Sequence, residues 1–132
     1  MKFFTIAELC KSTTADRLGI NNRCRQEHVT AMTALVDNVL DPLREWWGKP
    51  ITVNSGYRCP ELNAVVRGSK TSQHMSGQAA DIDTGDRQQN KLLFEYIRKN
   101  LPYDQLIDES NFAWVHVSFR ADGDNRKQVL KL

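Results

Sequence analysis

Residues 103–119 read YDQLIDESNFAWVHVSF. Two β-prone runs, Tyr103 to Glu109 and Trp114 to Phe119, flank the short turn Ser110 to Ala113. Runs of this kind with so little chain between them are predicted to pair as an antiparallel hairpin. Pairing across that turn sets Glu109 opposite Trp114 and Ile107 opposite His116. Opposed residues share a face of the sheet, and so do alternate residues along one strand. Glu109 therefore falls on the face of His116, one diagonal step away, while Asp108 falls on the other face with Val115 and Val117. A register slip of one residue would exchange the two carboxylates, so Asp108 stays open as the alternative.

On either side of the hairpin the same kind of reading continues. Asp122-Gly123-Asp124-Asn125 is a second turn, which makes Lys127 to Leu132 a last strand, expected to be antiparallel. Upstream, Asp86 is placed to cap a helix carrying Leu92, Leu93, Tyr96 and Ile97 and closed by Pro102. Ala79 to Asp83 is a strand, Ser69 to Gly77 a polar loop, Pro60 to Val66 a short helix, and Ile51 to Asn54 a strand ended by Ser55-Gly56. The N-terminal part is helical. Thr5 and Glu8 have capping-box spacing, and Thr13 and Thr14 are candidate caps of a second helix ended by Gly19. Val29, Met32, Leu35, Val36, Val39 and Leu40 recur at helical period, and Asp41-Pro42 reads as a new N-cap with a first-turn proline. Helices first and neighbouring strands later predict an α+β fold, a mainly antiparallel sheet packed against N-terminal helices.

Length and composition narrow the classes. The chain has 132 residues, 40% apolar and 26% charged, which fits one ordinary globular domain over 1–132. A net charge of +2 makes no case for a nucleic-acid partner. The start MKFFTIAEL has an apolar run that stops at Glu8, too short for a signal peptide, and no run is long enough for a membrane span. The expectation is therefore a chain without its own export signal. Cys10, Cys24 and Cys59 are odd in number and form no Cys-x-x-Cys pair, so free thiols are expected, with neither a disulfide framework nor a thiolate metal site.

The chemistry gathers around two of the three histidines. His74 lies in the loop stretch TSQHMSGQAADID, and His116 in the strand WVHVSF. With a carboxylate from the intervening strand they offer two nitrogens and an oxygen to a metal, leaving a fourth position for water, the arrangement of a catalytic zinc site. Asp81 and Asp83 share a face, and on geometry either could be that carboxylate. His28, beside Glu27 in the helical half, reads as a helix-surface residue.

Ser72, His74, Gly77, Ala79 and Asp81 spell S-x-H-x-x-G-x-A-x-D. SGYRCPELN (Ser55 to Asn63) precedes this pattern, and YDQLIDE and WVHVSF follow it. This set resembles the zinc D-alanyl-D-alanine carboxypeptidase family, which includes cell-wall endopeptidases and phage lysins and shares a fold with the hedgehog signalling domain. FFTIAEL and LDPLREWWGKPI resemble the short members found in phages and prophages. The resemblance implies one zinc per chain bound by His74, Asp81 and His116. It also implies that Arg58 holds a substrate carboxylate or carbonyl, with Ser72 and Gln73 hydrogen-bonding in the same pocket. Asp83 is placed either to orient a histidine or to lie as a strand-end surface carboxylate. Many relatives carry an acidic residue three positions before the last histidine, where this chain has Ala113, so the general base falls to Glu109. The implied activity is zinc-dependent hydrolysis of peptidoglycan stem peptides by a monomer, as a D-Ala-D-Ala carboxypeptidase or as an L,D-type endopeptidase or lysin. Such a lysin would wait in the cytoplasm and reach the wall after membrane permeabilisation. The rival is a zinc-containing module of the same fold that binds cell-wall peptides without cutting them.

Overall fold

A computed structural model describes residues 1–132. Helices α1 (Ile6–Cys10), α2 (Thr13–Leu18), α3 (Gln26–Leu35) and α4 (Asp41–Trp47) precede strand β1 (Thr52–Ser55). The short helix α5 (Pro60–Val65), strand β2 (Ala79–Asp83) and helix α6 (Arg87–Asn100) follow, then strands β3 (Gln105–Glu109), β4 (Trp114–Ser118) and β5 (Gln128–Lys131). The sheet runs β1-β2-β4-β3-β5. One of its faces packs with α1, α3, α4 and α6 on a 19-residue apolar core reaching from Phe4 to Val117. The architecture is the expected α+β type, and the opposite face of the sheet is left to carry polar groups.

Local chemistry accounts for most boundaries. Thr5 Oγ1 accepts from the Glu8 N–H and starts α1. The cap of α2 is Ser12, one residue before the expected threonines, because its hydroxyl accepts from the Ala15 N–H. Asp86 caps α6 through Gln89 N–H, and the helix buries Asn90, Leu93, Phe94 and Ile97, the i, i+3, i+4, i+7 stripe of an amphipathic helix. Asp41-Pro42 does not start a new helix. The chain passes from α3 through a π-helical turn, Val36–Leu40, into α4 without a break, and the Asp41 N–H bonds back to Val36 O. Widening that turn makes room for a proline that has no N–H and would crowd the carbonyl four residues earlier. The Asp41 carboxylate is then spent on the backbone N–H groups of Lys2 and Phe3, which fastens the N-terminus to α4.

Two expectations are overturned. Cys10 and Cys24 form a disulfide and only Cys59 is free. α2 folds the chain back so that the residue ending α1 meets the one entering α3, a proximity that an odd count of widely spaced cysteines does not reveal. β5 is also not antiparallel. It runs parallel to β3, with Leu106 beside Val129 and Ile107 beside Leu130. Antiparallel pairing on β4 would need that strand's outer edge, which β2 already occupies. After β4 the chain therefore crosses to the free edge of β3 and sets off again in the direction of β3.

Candidate metal centre

The hairpin has the register that its turn length implied: Glu109 opposes Trp114, Asp108 opposes Val115 and Ile107 opposes His116. On the other side of β4, His116 is opposite Asp81. The polar face of the sheet thus carries one continuous rung, Asp81, His116, Ile107 and Leu130. His74 reaches the same place from a 3-10 turn, Gln73–Ser76, within the predicted loop. That turn starts where Ser72 Oγ accepts from the His74 N–H and ends at Gly77, whose φ of 77° favours glycine. Any Cβ there would also stand 2.7 Å from His28 O.

Three buried side chains converge. His116 Nδ1 lies 3.0 Å from Asp81 Oδ1, and His74 Nε2 lies 3.3 Å from the same oxygen. The three ligand atoms are within 4.8 Å of one another. Donors about 2.0–2.1 Å from a tetrahedral zinc stand roughly 3.3 Å apart, so two of these separations already have the spacing such an ion needs. Gly56 O, 2.7 Å from His74 Nδ1, accepts from that nitrogen and aims Nε2 at the cluster. Gly56 is held in turn, because a Cβ on it would lie 2.2 Å from Leu9 O. Two imidazoles and a carboxylate that converge in this way form a donor set suited to a borderline cation such as zinc. Burial pushes the Asp81 carboxyl up, but hydrogen bonds and charge from His116 and His74 outweigh it and hold its pKa well below the usual carboxylate range.

The cluster forms part of a cavity of about 540 Å³ that is also lined by Arg58, Ser72, Gln73 and Glu109. All the residues singled out in the sequence as catalytic, substrate-binding or metal-ligating border this one space. Their engagements differ. Arg58 Nε donates to Ser55 Oγ at 2.9 Å, Nη1 to Asn63 Oδ1 at 3.3 Å and Nη2 to Asp81 Oδ2 at 3.3 Å, which leaves two N–H bonds of the guanidinium uncommitted. Burial lowers its pKa, and Asp81 and Glu109 pull the other way. Gln73 is occupied: its amide nitrogen donates to Asp104 Oδ2 at 2.9 Å, and its buried Oε1 meets no partner. Glu109 is half-buried, and burial followed by the charge of Asp81 raises its pKa. Asp108 is buried on the other face, where Oδ1 accepts from the Phe112 N–H within the hairpin turn.

Of its two expected places, Asp83 takes the second, at the end of β2, where its carboxylate accepts from Asn90 Nδ2 and the Gly85 N–H, both at 2.8 Å, and ties the strand to α6. His28 is more than a surface residue of its helix. Nδ1 accepts from the Arg25 N–H, and the ring stacks on Tyr57 at 4.3 Å, beside the segment that carries Arg58. Several supporting residues gave no sequence signal. Asn22 donates to Cys10 O and Tyr57 O and accepts from the Cys59 N–H, joining the disulfide loop to residues 57–59. Asn90 donates to Phe112 O, and Arg87 to Ser110 O and Asn111 O. These bonds hold a turn in which Ser110, Asn111 and Phe112 all have positive φ. A lone Asn or Arg has no spacing rule by which its tertiary partners could be read.

A family model described as peptidase M15 matches residues 2–118. The zinc D-Ala-D-Ala carboxypeptidase of Streptomyces albus G is 38% identical over 76 residues, which cover 50% of this chain and 30% of that protein. The chain thus spans under a third of the length of the curated relative it matches.

Proposed function

The chain belongs to the peptidase M15 family, and from that we propose a zinc-dependent peptidase that hydrolyses peptide bonds of bacterial peptidoglycan, with one zinc per chain held by His74, Asp81 and His116. The observation that carries the proposal is the buried His-Asp-His cluster opening into a cavity that also holds an arginine and a free carboxylate. Zinc, when bound, supplies a Lewis acid to a carbonyl oxygen and to a water molecule.

The chain's own residues do the rest. Glu109 takes the proton of the attacking water and returns it to the leaving amine. Its half-buried position keeps its affinity for that proton above that of an exposed glutamate. The uncommitted N–H bonds of Arg58 take the terminal carboxylate or the carbonyl of the substrate. The planar fork is aimed by Ser55, Asn63 and Asp81 before the substrate arrives. The Ser72 hydroxyl, which accepts from the His74 N–H, has its own hydrogen left for the substrate. Gln73 acts through Asp104 as a positioning residue. No nucleophilic side chain is required; the free thiol, Cys59, instead caps α5 by accepting from the Leu62 N–H.

The alternative, a module of the same fold that binds without cutting, requires a cavity with no base. Glu109 on the His116 face favours the enzyme. The relative's name and the arginine fork favour removal of a terminal D-alanine over internal cleavage. Digestion of purified peptidoglycan and of a D-Ala-D-Ala pentapeptide, with mass spectrometry of the products, tests this. Free D-alanine supports the carboxypeptidase, new internal termini the endopeptidase, and no release by zinc-loaded protein overturns both. No helix is long and apolar enough to cross a membrane. Lysin-type use by a monomer has its own readout: expression alone leaves cells intact, and lysis follows when the membrane is opened from within.

A further inference from the structure

The cavity is also lined by Ile107, by Leu130 and by Arg126, two residues before β5. Arg126 is fixed in place. Nε donates to both oxygens of Asp104, at 3.1 and 3.2 Å, and Nη2 donates to Oδ2 at 2.7 Å. The Arg126 N–H adds a fourth bond to the same carboxylate at 2.8 Å. Asp104 is wholly buried, and its Oδ2 also accepts from Gln73, the neighbour of His74. An arginine needed only for a surface ion pair has no use for a buried carboxylate, which is costly to desolvate. Here the bonds consume one edge of the guanidinium and leave the other open, with Nη1 unpartnered and half of the side chain exposed. An open, pre-aimed guanidinium edge is the geometry that grips a carboxylate with two parallel hydrogen bonds.

Position sets the range of this grip. Asp104 precedes Ile107, the strand neighbour of His116, by three residues of extended chain. At about 3.3 Å per residue that is roughly 10 Å, or about three residues of a substrate lying along the sheet. We infer that Arg126 is a second anion anchor, taking a carboxylate that the peptide carries about three residues from the bond to be cut, so that the site selects acidic peptides. The inference rests on the peptidase reading of the cluster. Arg58, turned toward Asp81, serves the end of the substrate nearest the cluster, and Arg126 serves the far end.

The test uses pentapeptides ending in D-Ala-D-Ala, with glutamate or glutamine placed in turn at each of the three preceding positions. An uncleavable set, N-methylated at the scissile amide, is measured by calorimetry on the full chain. At one position glutamate should be preferred over glutamine by roughly 10- to 100-fold in both binding and KM, the range of a charge-assisted hydrogen-bonded pair. Arg126→Gln should bring that ratio close to one. Arg126→Lys, which still neutralises Asp104 but lacks the fork, should recover only part of it. Wild-type protein that binds and cuts glutamate and glutamine peptides equally at all three positions overturns the anchor and leaves the peptidase reading standing. A preference that persists in a folded Arg126→Gln protein also overturns it. Discrimination in binding without cleavage of any peptide supports the anchor and counts against the peptidase reading.

Discussion

Asp81 and His116 face each other across neighbouring strands, and the carboxylate oxygen Oδ1 that meets His116 Nδ1 at 3.0 Å also meets His74 Nε2 at 3.3 Å. One oxygen therefore links two imidazoles that come from different parts of the chain. These three atoms are the ones proposed as the ligands of a bound cation. His116→Ala and Asp81→Asn should each lower zinc affinity by more than the roughly 10- to 100-fold typical of losing a residue that only orients a ligand. Zinc content after dialysis against a weak chelator checks this, and full zinc content in His116→Ala would remove His116 from the site. Stripping the metal from the wild-type protein should also lower its melting temperature, because an ion bound only by the folded state stabilises that state.

Glu109 and Asp108 are neighbours in sequence on opposite faces of one sheet. Glu109 lines the cavity, and Asp108 is bonded to the Phe112 N–H. Glu109→Gln should retain zinc and fold while losing roughly 10²- to 10⁴-fold in turnover, the share of a general base. Asp108→Asn should keep most turnover but lower the melting temperature, since it weakens a part-buried bond in a turn with three left-handed residues. Steady-state kinetics with melting curves separates the two effects. Loss of turnover in the Asp108 variant alone would point to a different base.

Much of this was legible because strands impose parity. The turn Ser110 to Ala113 sets the register, and the register puts Glu109, His116 and Ile107 on one face. Strand parity left Asp81 and Asp83 equivalent, and only the resemblance of the stretch from Ser72 to Asp81 to a known family singled out His74 with Asp81. Arg126 and Asp104 could not. They meet because β5 runs parallel to β3, and expecting an antiparallel β5 separated them. The Cys10–Cys24 pair was hidden in the same way, by a chain reversal at α2 that leaves no periodic trace.

The disulfide closes a loop of sequence separation 14, and in the chain-entropy account a loop of about this size contributes about 3 kcal/mol. Through Asn22 that loop is bonded to Tyr57 O and to the Cys59 N–H, on either side of Arg58. Cys10→Ser with Cys24→Ser should therefore lower stability by about 3 kcal/mol in denaturant titrations and raise KM more than it alters zinc content. A reducing agent should give the same shift in the wild type and none in the variant. Equal stability of the two proteins under oxidising conditions would show that the crosslink does not form. Persistence of the bond is expected in an oxidising compartment, which the proposed action at the cell wall would provide.

Acid should remove the support of Arg126 in a defined window. The hydrogen bonds from Arg126, outweighing the opposing effect of burial, hold the Asp104 carboxyl at about 2, against an ordinary 3.8. A depressed folded value means that the folded state prefers the charged form. The stabilisation is thus complete above the unfolded value near 3.8 and is lost as pH falls toward about 2. A shift of this size corresponds to about 2 kcal/mol. Asp104→Asn should already lack that amount at pH 7, and its stability should fall less steeply than the wild type's between these two values. Asp81, whose carboxyl is also held low, adds its own acid loss to both proteins, so the difference between the two curves isolates Asp104. Melting curves of both proteins from neutral pH downward provide the comparison. Parallel curves through the window would mean that Asp104 is not ion-paired in solution, and the anchoring of Arg126 would fall with it.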